Sequence, residues 1–223
     1  MIKIAQITFN PFCENTYILI DKETNQCVIV DAGCYNEKEQ QTLASFIEQH
    51  KLIPVLNIAT HGHIDHIVGA DFASKQWNIP YMIHSLDVQL VQSGASYASS
   101  MGFEMGETPA ISAELADNQE IKLAENTIKI IHTPGHTPGG VSIFIPSQNQ
   151  LLSGDTLFKE SIGRTDLPGG DYNQIMNSIL TRLIPLGSDI QIYPGHVPFT
   201  TLSHELSYNP FITEAIDGQV NYK

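Results

Sequence analysis

Basic residues are scarce in this chain: 11 in all, of which only Arg164 and Arg182 are arginines, against 24 acids, for a net charge of −13. Such a balance offers no basic surface to a nucleic-acid backbone or an anionic membrane, so the expected partner is a small molecule. Cysteine is scarcer still. Cys13, Cys27 and Cys34 are odd in number and show no paired spacing, which argues against a disulfide framework. No apolar run approaches the roughly 20 residues of a membrane-spanning helix. The segment from Met1 to Gln6 also lacks the apolar stretch of a secretory leader. The expected compartment is therefore the cytoplasm. With 42% hydrophobic and 16% charged residues over 223 positions, the composition suits one compact domain spanning 1–223 and excludes disorder. No internal repeat, low-complexity tract or linker is visible.

What is present reads as alternating strands and helices. Ile2–Thr8, Thr16–Ile20 and Cys27–Val30 are rich in β-branched residues and separated by turn-type breaks, which predicts three strands. Asn36 is placed to cap a helix reaching about Lys51, with Leu43, Phe46, Ile47 and His50 on one face. A buried-type strand, Val55–Ala59, runs straight into Thr60-His61-Gly62-His63. A helix from Asp65, a strand at Tyr81–Ile83 and a helix from Ser85 are expected after it. Ser93–Asn118, with Met101, Phe103 and Met105 among glycines, reads as a loop or lid. Further strands are expected at Ile128–Ile131, Val141–Ile145, Leu151–Ser153 and Ile190–Tyr193, with a helix over Asp171–Leu183. Strand meanders mixed with helices point to two packed sheets with helices outside, an α/β (α+β) fold.

The chemistry concentrates at strand ends. In His61-x-His63-x-Asp65-His66, four metal-ligand side chains fall within six residues. On an extended segment, side chains two apart point the same way, so His61 and His63 can converge on one ion. A turn into a helix then carries Asp65 and His66 to another bearing. One tetrahedral ion cannot easily use all four, and the spacing suggests two neighbouring sites. Three more segments share one grammar, a strand followed by a ligand-type residue in a turn of small residues: His132-Thr133-Pro134-Gly135-His136, Ser153-Gly154-Asp155-Thr156 and Tyr193-Pro194-Gly195-His196. Each alone is only a turn. Together they supply His136, Asp155 and His196 and complete a set of seven.

With these motifs the sequence resembles the metallo-β-lactamase superfamily, and within it the glyoxalase II-like hydrolases. Thr60–His66, Thr133–Thr137 with Gly139, Gly154–Phe158, Gly163–Gly170, Pro194–His196 and the ending Thr200-Thr201, Glu205, Asn209, Pro210, Phe211 carry the likeness. The resemblance implies a four-layer αββα sandwich with the metals at one edge. It implies that His61, His63 and His136 hold one ion, Asp65, His66 and His196 a second, and that Asp155 bridges them. Asp31 matches a family aspartate that supports the site without ligating. The chain has Asp155 where secreted β-lactamases carry cysteine, and it is most similar to short, single-domain glyoxalase II proteins. It stops soon after His196, so the C-terminal helical domain that helps grip glutathione is expected to be missing. Val197-Pro198 stand where the full-length enzymes have a substrate-touching tyrosine. Arg164, nine residues beyond Asp155, occupies the place of their glutathione-binding lysine.

The expected activity is hydrolysis of a thioester such as S-lactoylglutathione by a metal-bridging hydroxide, with two divalent ions, zinc foremost and iron or manganese compatible. A thiolate leaves without a strong general acid, because thiols ionise near pH 8.5. Asp65 is the candidate catalytic residue, either orienting the hydroxide or acting only as a ligand, and Arg164 is the candidate binder of a substrate carboxylate. The alternative is a glutathione persulfide dioxygenase using one Fe(II) on the residues matching His61, His136 and Asp155. A metal-binding or redox-sensing regulator is a third reading. His84, His132 and His204 are expected to be structural, His50 to sit on a helix face, and Cys34 to be a small core residue.

Overall fold

The computed structural model of the chain describes residues 1–100 and 105–220, so Met101 and Phe103 lie outside the described residues. The strands in chain order are β1 (Ile2–Phe9), β2 (Glu14–Asp21), β3 (Gln26–Val30), β4 (Ile53–Ile58), β5 (Tyr81–His84), β6 (Ala113–Leu115), β7 (Glu120–Leu123), β8 (Asn126–His132), β9 (Val141–Ile145), β10 (Gln150–Gly154), β11 (Leu157–Phe158), β12 (Ser161–Ile162), β13 (Gln191–Pro194) and β14 (Thr200–Thr201). One sheet has the order β1-β2-β3-β4-β5-β6 and the other β14-β13-β10-β9-β8-β7, with β11 and β12 a separate hairpin. The helices are α1 (Glu37–Gln49), α2 (Ile64–Ile67), α3 (Ala70–Trp77), α4 (Val88–Ser100), α5 (Tyr172–Ser178), α6 (Leu202–Tyr208) and α7 (Pro210–Val220).

The period of two along each strand builds four layers. Tyr17 and Leu19 of β2, Val28 and Val30 of β3, and Leu56 and Ile58 of β4 point at the facing sheet, where they meet Ile128 and Ile130 of β8, Val141, Ile143 and Ile145 of β9, and Leu152 of β10. The intervening residues point outward. Ile18 and Ile20 pack on Leu43 and Ile47 of α1, and Ile29 on Ala73 of α3. On the far side Ile131, Phe144, Leu151 and Ile192 pack on Ile175, Met176, Leu202 and Ile212 of α5, α6 and α7. Burying each such side chain stabilises the fold by about 1.5–3 kcal/mol, so these three apolar layers are the main driving force.

Asn36 caps α1 as expected, its side chain accepting from the Glu39 N–H. The helix expected from Asp65 is divided into α2 and α3, because Gly69 donates its N–H to the Ala32 carbonyl. A Cβ at Gly69 would strike the Cys34 sulfur, so only glycine lets the two segments approach so closely. The Ser93–Asn118 loop needs correction. Its first part belongs to α4, where Val91, Gly94 and Ala98 are buried at helical spacing, and its last part forms β6 beside β5. Ser93, Gly94 and Ser96, poor helix formers at the start of that segment, sit on α4. The 171–183 helix begins as expected, with Asp171 capping α5, then widens into a π-helical turn over Ile179–Leu183. Among the described residues, no helix is long and apolar enough to cross a membrane.

Strand direction positions the site. β3 and β4 run parallel, and so do β10 and β13, while β8 and β10 share a direction through antiparallel β9. Every ligand-type residue singled out in the sequence therefore follows the C-terminal end of a strand, at one edge of the sandwich. The sheets are tied there by Val141 N–H to Thr60 O at 2.8 Å, Asn15 N–H to Gly195 O at 2.8 Å, and the Tyr17 hydroxyl to Pro194 O at 2.7 Å.

Candidate metal centre

β4 ends at Ile58, and the chain is then locked by Thr60. The Thr60 N–H and hydroxyl donate to the two carboxylate oxygens of Asp31, at 2.6 and 2.7 Å. Asp31 follows β3 in the left-handed region, φ 54°, a strained backbone that its three partners hold in place. The third partner is His66, whose Nδ1 lies 3.1 Å from Asp31 Oδ2. His63 then caps α2, which turns Asp65 and His66 away from His61 and His63.

The structure brings all seven sequence-identified residues together in two groups. His61, His63 and His136 place ligand atoms within 4.8 Å of one another, and so do Asp65, His66 and His196. His63 Nδ1 lies 2.9 Å from His136 Nε2, and His66 Nε2 lies 3.2 Å from His196 Nε2. Asp155 stands between the groups, with Oδ1 3.5 Å from His66 Nε2 and Oδ2 3.5 Å from Nε2 of both His136 and His196. Gly195 has to be glycine, since a Cβ there would strike Asp155 Oδ1 and lie 2.7 Å from His66 Cε1.

The ring nitrogens facing away from the cluster show what it is built to hold. His136 Nδ1 donates to the Arg164 carbonyl at 2.8 Å, and His196 Nδ1 donates to the Phe12 carbonyl at 3.1 Å. His66 Nδ1 donates to Asp31. Each of these contacts fixes the tautomer, so in the neutral rings the lone pairs of His136, His66 and His196 point inward. The lone pairs of His66 and His196 meet at 3.2 Å beside two carboxylates, and a proton or a metal ion among them relieves the repulsion. His61 Nε2 and Asp155 Oδ1 are buried without any hydrogen-bond partner, a costly state for polar atoms that a metal ion would relieve. The donor set, imidazole and carboxylate, suits divalent zinc, iron or manganese.

The two groups differ in charge. Burial and the neighbouring imidazoles push His61 well below the usual histidine range, and burial with His136 lowers His63 to about 4. Burial also acts to lower His66, but the carboxylates of Asp155 and Asp65 outweigh it and raise its pKa well above normal. His196 is raised in the same way by Asp65 and Asp155. An ion entering the Asp65–His66–His196 group must therefore displace protons from His66 and His196, whereas His61 and His63 hold none near neutral pH. On acidification, the raised pair protonates at higher pH than the lowered pair. Metal is accordingly expected to leave in two stages, from the Asp65 group first. Metal content measured against pH, with proton release followed on reloading, checks the order; simultaneous loss would contradict it.

A cleft of about 400 Å³ opens over the cluster, walled by Phe12, Ile64, Phe158, Ile162 and Leu167 beside the ligand residues. Arg164 lies on this wall. Its guanidinium is paired in a fork with Asp166, Nε to Oδ1 at 2.7 Å and Nη2 to Oδ2 at 2.8 Å, while its main chain holds His136. The other histidines stand outside the cluster. His84 and His132 stack with ring centroids 4.3 Å apart, and His204 contacts Glu160 at 2.8 Å. His50 is the exposed C-cap of α1. Cys34 is buried, its thiol pushed up to about 12 by burial, in keeping with a core role.

One residue invisible to motif reading joins the two halves of the three-histidine group. Asp87 is fully buried and accepts from Gly62 N–H at 2.9 Å, Thr137 Oγ1 at 2.7 Å and Gly139 N–H at 2.6 Å. Its carboxylate thereby clamps the His61-Gly62-His63 turn against the loop carrying His136. Nothing in Ser85-Leu86-Asp87 has ligand spacing, so only the glycines it touches could have signalled a close approach.

Most of the chain matches a known family. The family model described as the metallo-beta-lactamase superfamily matches residues 10–196. The chain is 34% identical to the hydroxyacylglutathione hydrolase GloC of Haemophilus influenzae, over 94% of this chain and 97% of that protein. It is 32% identical to the probable metallo-hydrolase YqgX of Bacillus subtilis, again over 94% and 97%. Among solved structures it is similar to the BLEG-1 B3 metallo-beta-lactamase, with TM-score 0.86, 30% identity, and 95% and 100% of the two chains covered. It is likewise similar to TTHA1623 in a di-iron-bound form, with TM-score 0.82, 33% identity, and 93% and 99% covered.

Proposed function

The chain belongs to the metallo-β-lactamase superfamily, and from that premise we propose that it is a binuclear metallohydrolase acting on a thioester of the hydroxyacylglutathione kind. His61, His63 and His136 would hold one ion and Asp65, His66 and His196 the other, with Asp155 standing between the two groups. Zinc is the foremost candidate metal, and the di-iron form of a structural relative makes iron the next. When bound, two such ions supply a water ionised near neutral pH and a positive partner for the carbonyl oxygen.

The observation that carries the reading is the single carboxylate, Asp155, within 3.5 Å of imidazoles from both groups. The chain's own residues do the rest. Asp65 Oδ2 lies 3.2 Å from His196 Nε2 and 3.6 Å from His66 Nε2, at the mouth of the cluster, where it can orient the attacking water. Phe12, Phe158 and Ile64 give the cleft an apolar wall beside the cluster. Among the described residues lining the cleft, the Tyr97 phenol is the one proton donor of its kind outside the ligand set, and there is no lysine or further carboxylate to protonate a leaving group. A thiolate needs no such proton and an amine does, so the lining favours a thioester over an amide. Residues 1–223 act in this reading as one catalytic domain.

Arg164 is the proposed contact for a substrate carboxylate, a role for which it has to exchange Asp166 for the substrate. Its exposure keeps the effect small. Arg164→Ala is expected to raise KM a few-fold for carboxylate-bearing thioesters and to spare neutral ones; equal losses on both would assign it to loop shape alone.

The direct test of function is purified protein with its metals counted, assayed on S-lactoylglutathione and simple thioesters, with oxygen uptake followed on glutathione persulfide. Thioester turnover without oxygen uptake supports the hydrolase. Oxygen uptake with one iron per chain favours the dioxygenase.

A further inference from the structure

We propose that the metal cleft continues into a second, apolar subsite, and that the substrate carries an uncharged apolar substituent seated there. The inference rests on the thioester reading above and narrows its substrate class. A space of about 360 Å³ lies between α4 and the 167–168 turn, lined by Ile64, Leu90, Gly94, Tyr97, Leu167 and Pro168. It shares His63, Ile64, Tyr97 and Leu167 with the cleft over the metal cluster, so the two spaces adjoin across these four residues. A thioester whose carbonyl lies at the cluster can therefore seat a substituent on that side in this space.

The chemistry of the walls selects what can follow. Apart from His63, no titratable group except the Tyr97 phenol lines the subsite among the described residues; Ser93 and Ser96 add only hydroxyls. Arg164, the one cation of the neighbouring cleft, is not part of this lining, and its guanidinium is already forked to Asp166. A charged group here would lose its water and gain no counter-charge, whereas a hydrocarbon gains about 0.8 kcal/mol for each methylene buried. The size also fits, since small-molecule pockets begin at about 300 Å³. The subsite is built on fixed elements: Gly62 lies so close to α4 that a Cβ there would sit 2.8 Å from Leu90 Cβ. The turn carrying His61 and His63 thus rests directly on the subsite wall.

The test uses the metal-loaded protein and two series of thioesters. In one, the acyl chain lengthens from acetyl to octanoyl on a fixed neutral thiol; in the other, the alkyl thiol lengthens on a fixed acetyl group. Specificity, kcat/KM, is expected to rise about fourfold per methylene in one series until the space is full, which also shows which side of the C–S bond faces it. A terminal carboxylate on the chain is expected to erase the gain. Ser96→Phe, at an exposed position on the subsite rim, is expected to lower the long-chain to short-chain ratio at least about tenfold. Non-hydrolysable alkyl thioethers of the same lengths, measured by calorimetry, give the same chain-length dependence without relying on turnover. Turnover of acetyl or lactoyl thioesters with flat dependence in both series overturns the subsite and leaves the hydrolase standing. No thioester turnover overturns the hydrolase, and flat thioether binding then overturns the subsite as well.

Discussion

Replacing Asp155 by alanine is expected to reduce kcat/KM by more than about 100-fold and to lower the metal content of the chain below that of any single histidine variant. The magnitude follows from comparison: partners that merely orient metal ligands cost about 10–100-fold when lost, so a ligand common to both ions must cost more. The position explains why. Asp155 lies 3.5 Å from His66 on one oxygen and 3.5 Å from His136 and His196 on the other, so its loss disturbs both groups at once. It is buried at the end of β10, where the close approach of Gly195 leaves no room for another side chain to substitute. A histidine variant such as His196→Ala leaves the three-histidine group intact and should retain one ion. Metal analysis beside steady-state kinetics decides the matter. Full metal content with wild-type turnover in the Asp155 variant would remove the bridging role.

The second large effect is expected from a residue that touches no metal. Asp87→Ala leaves the N–H groups of Gly62 and Gly139 and the hydroxyl of Thr137 without their acceptor in a dry interior. At about 1–3 kcal/mol for each buried unsatisfied donor, the loss should reach ~3 kcal/mol or more of folding stability. It should also weaken the three-histidine group, because the clamp between the His61–His63 turn and the His136 loop is gone. Asp87→Asn is the informative partner. Its amide oxygen can still accept from Gly139, but its NH2 faces the Gly62 N–H, so it should lose metal affinity while folding better than alanine. Denaturant unfolding with and without metal separates the effects. Equal stability and equal metal affinity in all three proteins would show the clamp to be idle.

These two residues mark what was legible in the sequence. The candidate ligand residues could be picked out because metal chemistry demands particular side chains at particular spacings and small residues mark the strand ends before them, and the fold brings these side chains together. The two-sheet sandwich was legible because strand meanders mixed with helices leave two packed sheets with helices outside, and β2 and β9 are runs buried on both faces. Asp87 was not legible: its partners are two main-chain N–H groups and a hydroxyl more than 20 residues away, and a hydrogen-bond acceptor for a backbone leaves no pattern. α4 was misjudged for a related reason. Its serines and Gly94 are poor helix formers, and what holds them helical is the packing of Val91 with Ile67, Tyr81 and Ile83 and the approach of Gly94 to Ile67, a tertiary effect that local propensity does not contain. β6, β7 and β14 escaped notice because they are short edge-proximal strands of two to four residues, below the length at which alternation can be recognised.

The central claim, that two metal ions share this cluster through Asp155, is tested most directly by counting metals per chain in protein titrated to saturation, wild type beside Asp155→Ala. The account predicts two ions per wild-type chain and fewer than two in the variant. One ion per wild-type chain at saturation, with the Asp65, His66 and His196 group empty, would contradict it.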